Sequence, residues 1–254
     1  MSSVIHVTSV NYPESDGKPM GETDLHRKEM IRVIELLDRF FAGRQTYVSG
    51  DLLLYYERGN PKKFVVPDCF VVKDLEPGDR RVYKLWVERK TPDAILEVTS
   101  RKTKKKDNVT NPPLYARLGV KEYFLFDPTR DYLEPPLQGY RLAGAEYEPL
   151  VADAQESLVS EQLALRLQAE QTHLVFYRLD TGERLLTAEE ACQAAEQARR
   201  AEDEARRAEA EARQAEAEAR RAEAEARRAA EAEVARLRAE LRRRGTTDPK
   251  LERS

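Results

Sequence analysis

The chain has 254 residues, of which 35% are charged and 41% hydrophobic, and its formal net charge is −3. The 43 basic and 46 acidic residues nearly cancel, so bulk charge neither demands nor excludes nucleic acid, and any basic surface has to be local. Cys69 and Cys192 are too few for a disulfide framework. No apolar run of about 18 residues could span a bilayer, and the N-terminus lacks the basic start and apolar core of a signal peptide, so a cytoplasmic protein is expected.

Residues 1–21 read as a polar, turn-rich segment. Thr23 is a helix N-cap, and the helix it starts should end near Gly43. Met30, Ile34, Leu37 and Phe41, with Ile31, Val33 and Phe40, fall on one broad face, which predicts core packing. Strand-like runs follow at TYVSG, DLLLYYE, KFVVPDCFVV, RVYKLWVE and DAILEVTS. After a helical segment come KEYFLFDP, GYRLAG, YEPL, LALRL and HLVFYRL, with DTGE as a turn. FVV and AIL lack polar alternation, as expected of strands covered on both faces. Together these elements predict a mixed α/β sheet flanked by helices over residues 1–186.

From residue 187 the composition changes to Ala, Glu and Arg. Thr187-Ala188-Glu189-Glu190 is a capping-box pattern, and alanines then recur at alternating spacings of three and four. The seam shifts near the end to Ala230, Val234, Leu237 and Leu241, and Gly245 and Pro249 stop it. A helix over 187–245, about 87 Å long at 1.5 Å per residue, with a disordered tail at 246–254, is expected. An alanine seam buries little area per residue. Two readings stay open: a self-associating coiled coil, which would make the protein a homodimer or dock a protein partner, and a solvated single helix laced by Glu–Arg pairs.

Two acids stand out, because each lies in an apolar strand-like run: Asp68 in FVVPDCFVV and Glu97 in AILEVTS. Burying either is costly unless something compensates the charge, and a divalent cation shared between them would. Their separation of 29 residues leaves room for a turn and a second strand, so both acids could occupy neighbouring strands. Two carboxylates holding Mg²⁺ or Mn²⁺ suit phosphodiester hydrolysis, and the Val98 backbone carbonyl is a candidate third ligand. The chain has no P-loop, no dinucleotide-binding glycine fingerprint and no zinc-type Cys/His spacing.

Pro67-Asp68 in one strand, followed by a strand ending Glu97-x-x-Ser100, resembles the PD-(D/E)XK nuclease superfamily. The ordered series YPESDGKPMGETDLHR, VSGDLLLYYE, KFVVPDCFVV, YKLWVERKTPDAILEVTS, YARLGVKEYFLFDP and LQGYRL narrows the resemblance to the Uma-type restriction endonucleases over roughly residues 12–180. The resemblance implies a restriction-endonuclease-like core and a divalent-metal-dependent endonuclease acting on nucleic acid, DNA above all. It assigns Asp68 and Glu97 as metal-binding acids, with Glu22 as a further candidate ligand beside a helix start. It also implies a helical frame, Ser-x-x-Thr-x-x-x-Asp-x-x-x-Lys-x-x-x-Tyr, which Ser100, Thr103, Asp107 and Tyr115 match.

This chain departs from the frame at Asn111, which stands in the lysine position, while Thr99 occupies the strand position where other superfamily members carry it. Asn cannot supply a positive charge. Pro112 and Pro113 should interrupt the helix, which could restart near Pro112 and run to Leu118. Lys102, Lys104, Lys105 and Lys106 form a basic run that either replaces the missing cation or is a solvated loop touching the DNA backbone; Lys102 and Lys104 are the candidate catalytic lysines. The alternative to an endonuclease is a catalytically impaired relative that binds nucleic acid or a protein.

Overall fold

The structure is a computed structural model that describes residues 10–15 and 23–245 and contains two units, Met1–Ala188 and Glu189–Ser254. Within the first unit, helix α1 (Asp24–Phe41) begins where Thr23 Oγ1 accepts the His26 amide at 3.2 Å. It ends two residues before Gly43, whose φ of +78° suits glycine. Met30, Val33, Leu37 and Phe41 are buried as their spacing predicts, and so is Leu36; Ile31 instead faces solvent, because the buried stripe is narrower than the apolar one.

The main sheet has six strands in the order β1-β4-β6-β7-β8-β9. These are β1 (Thr46–Ser49), β4 (Cys69–Lys73), β6 (Ala94–Val98), β7 (Glu122–Phe126), β8 (Leu137–Ala143) and β9 (Glu146–Pro149). Within this sheet only β6 and β7 run parallel, and the helical segment between them forms the crossover that parallel pairing needs. Every residue of β6 and β7 is buried, which accounts for their unalternating apolar sequences.

The pleat sorts these side chains into two cores. On one face Cys69, Val71, Leu96, Phe124 and Phe126 pack with α1 and with a second sheet, β10 (Leu158–Ser160), β11 (Leu165–Glu170) and β12 (His173–Arg178). On the other face Phe70, Val72, Ile95, Tyr123 and Leu125 pack with Tyr115 and with a third small sheet, β2 (Leu54–Tyr55), β3 (Phe64–Val65) and β5 (Tyr83–Lys84). Each fully buried side chain of this size contributes about 1.5–3 kcal/mol, so the two-sided covering is the main source of stability. Glu29, 1% exposed, ties α1 to β12: its carboxylate accepts the Leu174 amide at 2.6 Å and lies 2.7 Å from His173 Nδ1.

Three local elements differ from the sequence expectation. RVYKLWVE is not one strand: β5 stops at Lys84 and Leu85–Glu88 form one helical turn, α2, closed by Arg89 at a positive φ of 56°. Strand β10, in the polar run QESLVS and too short to read as a strand, pairs only through β11. The proline segment is not interrupted. Lys106–Thr110 form a π-helical turn that leads directly into α3 (Asn111–Leu118). Pro112 and Pro113 have no amide to donate and would clash with carbonyls one α-turn back; widening the preceding turn accommodates them.

The second unit is the helix α4 (Ala188–Gly245). Arg213–Glu209, Arg220–Glu216 and Arg227–Glu231 form i,i+4 ion pairs of 2.6–3.0 Å along it. Such exposed pairs contribute only about 0.3–0.5 kcal/mol each. Val234 and Leu237 remain 48% exposed and Leu241 70% exposed, an unpartnered apolar end on this chain alone.

Gly50 marks the tightest backbone approach near the sheet end: a Cβ there would lie 2.0 Å from the Asp68 carbonyl oxygen. Gly50→Ala therefore has to push the Asp68 backbone away and is expected to destabilise the first unit by ~1–3 kcal/mol. Urea unfolding of the two proteins measures this, and equal midpoints would contradict the close packing.

Candidate active site

Asp68 immediately precedes β4, and Glu97 is the fourth residue of β6. The antiparallel register pairs Cys69 with Leu96, so the next pair outward is Asp68 opposite Glu97. Both follow the parity of Phe70, Val72 and Ile95 and so face the α3 side of the sheet. The Asp68 amide donates to Glu97 Oε2 at 3.0 Å, and the Val98 amide donates to Asp68 Oδ2 at 2.8 Å. A strand residue's amide and carbonyl point to the same side, so the Val98 carbonyl also faces the Asp68 edge.

Helices supply the rest. His26, in the first turn of α1, places Nε2 3.2 Å from Asp68 Oδ2. Asn111 Nδ2 donates to Glu97 Oε1 at 3.3 Å, and the Tyr115 hydroxyl donates to the same oxygen at 2.8 Å. Asp107, Asn111 and Tyr115 are spaced by four residues, so one helical face presents all three, and all are buried. The Tyr123 hydroxyl on β7 donates to the Asp107 carbonyl at 2.9 Å and anchors the π-turn to the sheet.

The electrostatics follow from burial. Glu97 is 3% exposed, and its carboxyl is held well above the usual range by desolvation, then by the Asp68 and Asp107 charges, with Lys106 opposing. Asp107 is pushed up to about 7, chiefly by burial and against a hydrogen bond from Thr103, with Asp68 raising it and Lys106 and His26 lowering it. Its Oδ2 is buried with no hydrogen-bond partner. The Tyr115 hydroxyl is pushed up by burial and then by the Glu97 charge, so it stays a donor. Asp68 keeps 17% side-chain exposure, which makes its side of the pair the approach from solvent.

The structure thus brings Asp68, Glu97 and Val98 together. Glu22 lies outside the described residues. Lys102 and Lys104 are exposed in the turn that follows β6, with the Lys104 ammonium 5.4 Å from the Tyr132 ring centre. His26 and Asp107 are the members that sequence reasoning undervalued. The i,i+4,i+8 spacing of 107, 111 and 115 carried a signal for Asp107; nothing local signalled that α1 would cross the end of β4.

Oxygen donors of this kind suit a hard divalent cation. Among the described residues no group of three or more His, Cys, Asp or Glu side chains is arranged to hold a metal. Two carboxylates and a carbonyl are a smaller set, and it is enough for Mg²⁺, which keeps several waters. The unsatisfied Asp107 oxygen and the raised Glu97 carboxyl are what a nearby cation would relieve, so the residues present fit the group.

The first unit is thus a mixed sheet with helical flanks that sets Asp68 opposite Glu97. The chain belongs to the Uma2 family, described as "Putative restriction endonuclease", which it matches over residues 10–175. The family points to nucleic acid as substrate and to a divalent cation. Among solved structures, a protein described as a "putative nuclease belonging to DUF820 from Anabaena variabilis ATCC 29413" is similar at 15% identity, with a TM-score of 0.43, over 61% of this chain and 87% of that one. No curated protein matches. No helix among the described residues is long and apolar enough to cross a membrane.

An unfolded Asp titrates near 4, whereas folded Asp107 titrates near 7. Between these values the folded state binds more protons, so without metal the stability falls as pH rises through that window. Asp107→Asn is expected to flatten the slope and to stabilise the chelated protein at pH 8 by on the order of 2–4 kcal/mol. Denaturant titrations in EDTA at pH 5 and pH 8 read this; an unchanged slope would contradict a buried, uncompensated Asp107.

Proposed function

We propose that the protein is a divalent-metal-dependent endonuclease that hydrolyses phosphodiester bonds of DNA, with Asp68, Glu97 and the Val98 carbonyl holding Mg²⁺ or Mn²⁺. The observation that carries this reading is the direct Asp68–Glu97 apposition across β4 and β6, with the Asp68 amide bound to the Glu97 carboxylate at 3.0 Å. The cation supplies a polarised phosphoryl oxygen and a more acidic bound water. Tyr115 and Asn111 hold Glu97 in one rotamer, and His26 does the same for Asp68. The exposed lysines of the turn, Lys102 and Lys104 among them, contact substrate phosphates, and the salt dependence of binding follows from these contacts.

Plasmid nicking by the full chain with Mg²⁺ or Mn²⁺ tests the proposal. Asp68→Asn and Glu97→Gln are each expected to reduce cutting by at least about 10³-fold, with circular dichroism unchanged. Parent activity that survives both substitutions would overturn the assignment.

A second reading has its own support. Glu97 is already bound by three donors, and its Asn111 partner is neutral where the family has lysine. A catalytically impaired relative that binds nucleic acid or a protein would show metal-dependent DNA binding by gel shift and no cutting in the same assay.

The exposed Val234, Leu237 and Leu241 and the alanine seam support homodimerisation through a coiled coil of α4. Sedimentation equilibrium of the full chain should give a dimer that Leu237→Glu with Leu241→Glu converts to monomer; a parent that stays monomeric at 100 μM, a concentration well above a weak coiled coil's Kd of about 10 μM, would remove this partner.

A further inference from the structure

Helix α4 carries its charges in rows. Over residues 198–229 alanine fills both seam positions, and glutamate flanks the seam on each side: Glu209, Glu216 and Glu223 on one, Glu211, Glu218 and Glu225 on the other. Against a second copy of this helix, glutamate would face glutamate in a parallel and in an antiparallel pair alike. This stretch therefore gives two helices no preferred direction.

The last turns differ. The seam there is Val234, Leu237 and Leu241, all exposed on a single chain. Valine followed by leucine at the next seam position suits a two-stranded coiled coil. Unlike charges flank this seam. Glu233 and Glu240 lie on one side; Glu231 and Arg238 lie on the other, where with Arg227 they line a shallow groove beside Val234. In a parallel pair, a residue on the first flank meets the residue five positions later on the opposite flank of the second helix. Glu233 then meets Arg238 of the second copy, and two-fold symmetry makes the contact twice. In an antiparallel pair like flanks meet, and Glu233 faces Glu240 instead. Within its own helix Glu233 pairs with Arg236 at 3.0 Å, an exposed contact that exchanges readily.

We propose that the apolar end of α4 docks a second copy of the same chain in parallel and in register, with Glu233 and Arg238 fixing the direction. The proposal rests on the homodimer reading above and adds its orientation and the residues that set it. The apolar seam supplies the affinity, and the flanking charges supply the choice between directions. Each charge pair is a surface contact, so its effect is modest and weakens with salt.

Sedimentation equilibrium of the full chain tests the direction, between about 1 and 100 μM, a range that brackets a weak coiled coil's Kd of about 10 μM. Glu233→Arg sets like charges against Arg238 in the parallel pair, and Arg238→Glu sets like charges against Glu233. Each variant alone is expected to raise Kd by about tenfold, with circular dichroism unchanged. Mixed in equal amounts, the two variants offer each other opposite charges at both contacts. The mixture should dimerise with a Kd within about threefold of the parent, a rescue that a change confined to one helix would not give. A Glu233→Arg chain that dimerises more tightly than the parent shows antiparallel pairing and overturns the proposal. Parent affinity in both single variants, or no rescue on mixing, also overturns it, and in each of these cases the homodimer itself stands. A parent that stays monomeric removes both.

Discussion

The apposition of Asp68 and Glu97 across two fully covered strands is the constraint to which the rest of the site responds. Burial already disfavours the charged form of Glu97 and the neighbouring Asp68 charge adds to it, so the Glu97 carboxylate needs help. Help comes to the pair from every side: strand amides of Asp68 and Val98, the His26 ring, the Asn111 amide and the Tyr115 hydroxyl. Even so, Glu97 remains well above the ordinary carboxylate range and Asp107 is left with a bare oxygen. That residual imbalance is what a cation bound as proposed would relieve.

The surrounding architecture keeps the pair in place. α1 is fastened at one end by Thr23 and along its length by Glu29, which reaches β12, so His26 is held over the end of β4. Gly50 allows the β1–β2 connection to press against the Asp68 backbone where any side chain would collide. Tyr123 and Tyr115 stack edge to face at 5.2 Å, locking the crossover helix against the sheet. Rigid supports of this kind hold catalytic side chains better than loops do. α4 shares none of these devices; its side chains are solvated and its only unpartnered apolar groups lie near the C-terminal end among the described residues.

The crossover segment shows how a sequence anomaly becomes structure. Two prolines after Asn111 argue against a continuous helix, because each lacks a donor and crowds a carbonyl one turn earlier. The chain keeps its helical course by adding a residue to the preceding turn. Across this turn Asp107, Asn111 and Tyr115 are buried and the lysines are exposed.

Much of this was legible in the residues alone. Unalternating apolar runs identified β4, β6 and β7 because a strand covered on both faces has no polar side to show. An acid in such a run is a costly exception, so Asp68 and Glu97 were conspicuous; Thr23 and the alanine heptads marked helix starts and period for equally local reasons. Which strands pair is a different matter, since it depends on cores assembled from distant segments. Only the tertiary structure set the register that makes Asp68 face Glu97, brought His26 across 42 residues to Asp68, and turned LWVE from an apparent strand into a helical turn. Local periodicity records how a segment alternates between water and core; it carries no record of which partner supplies that core.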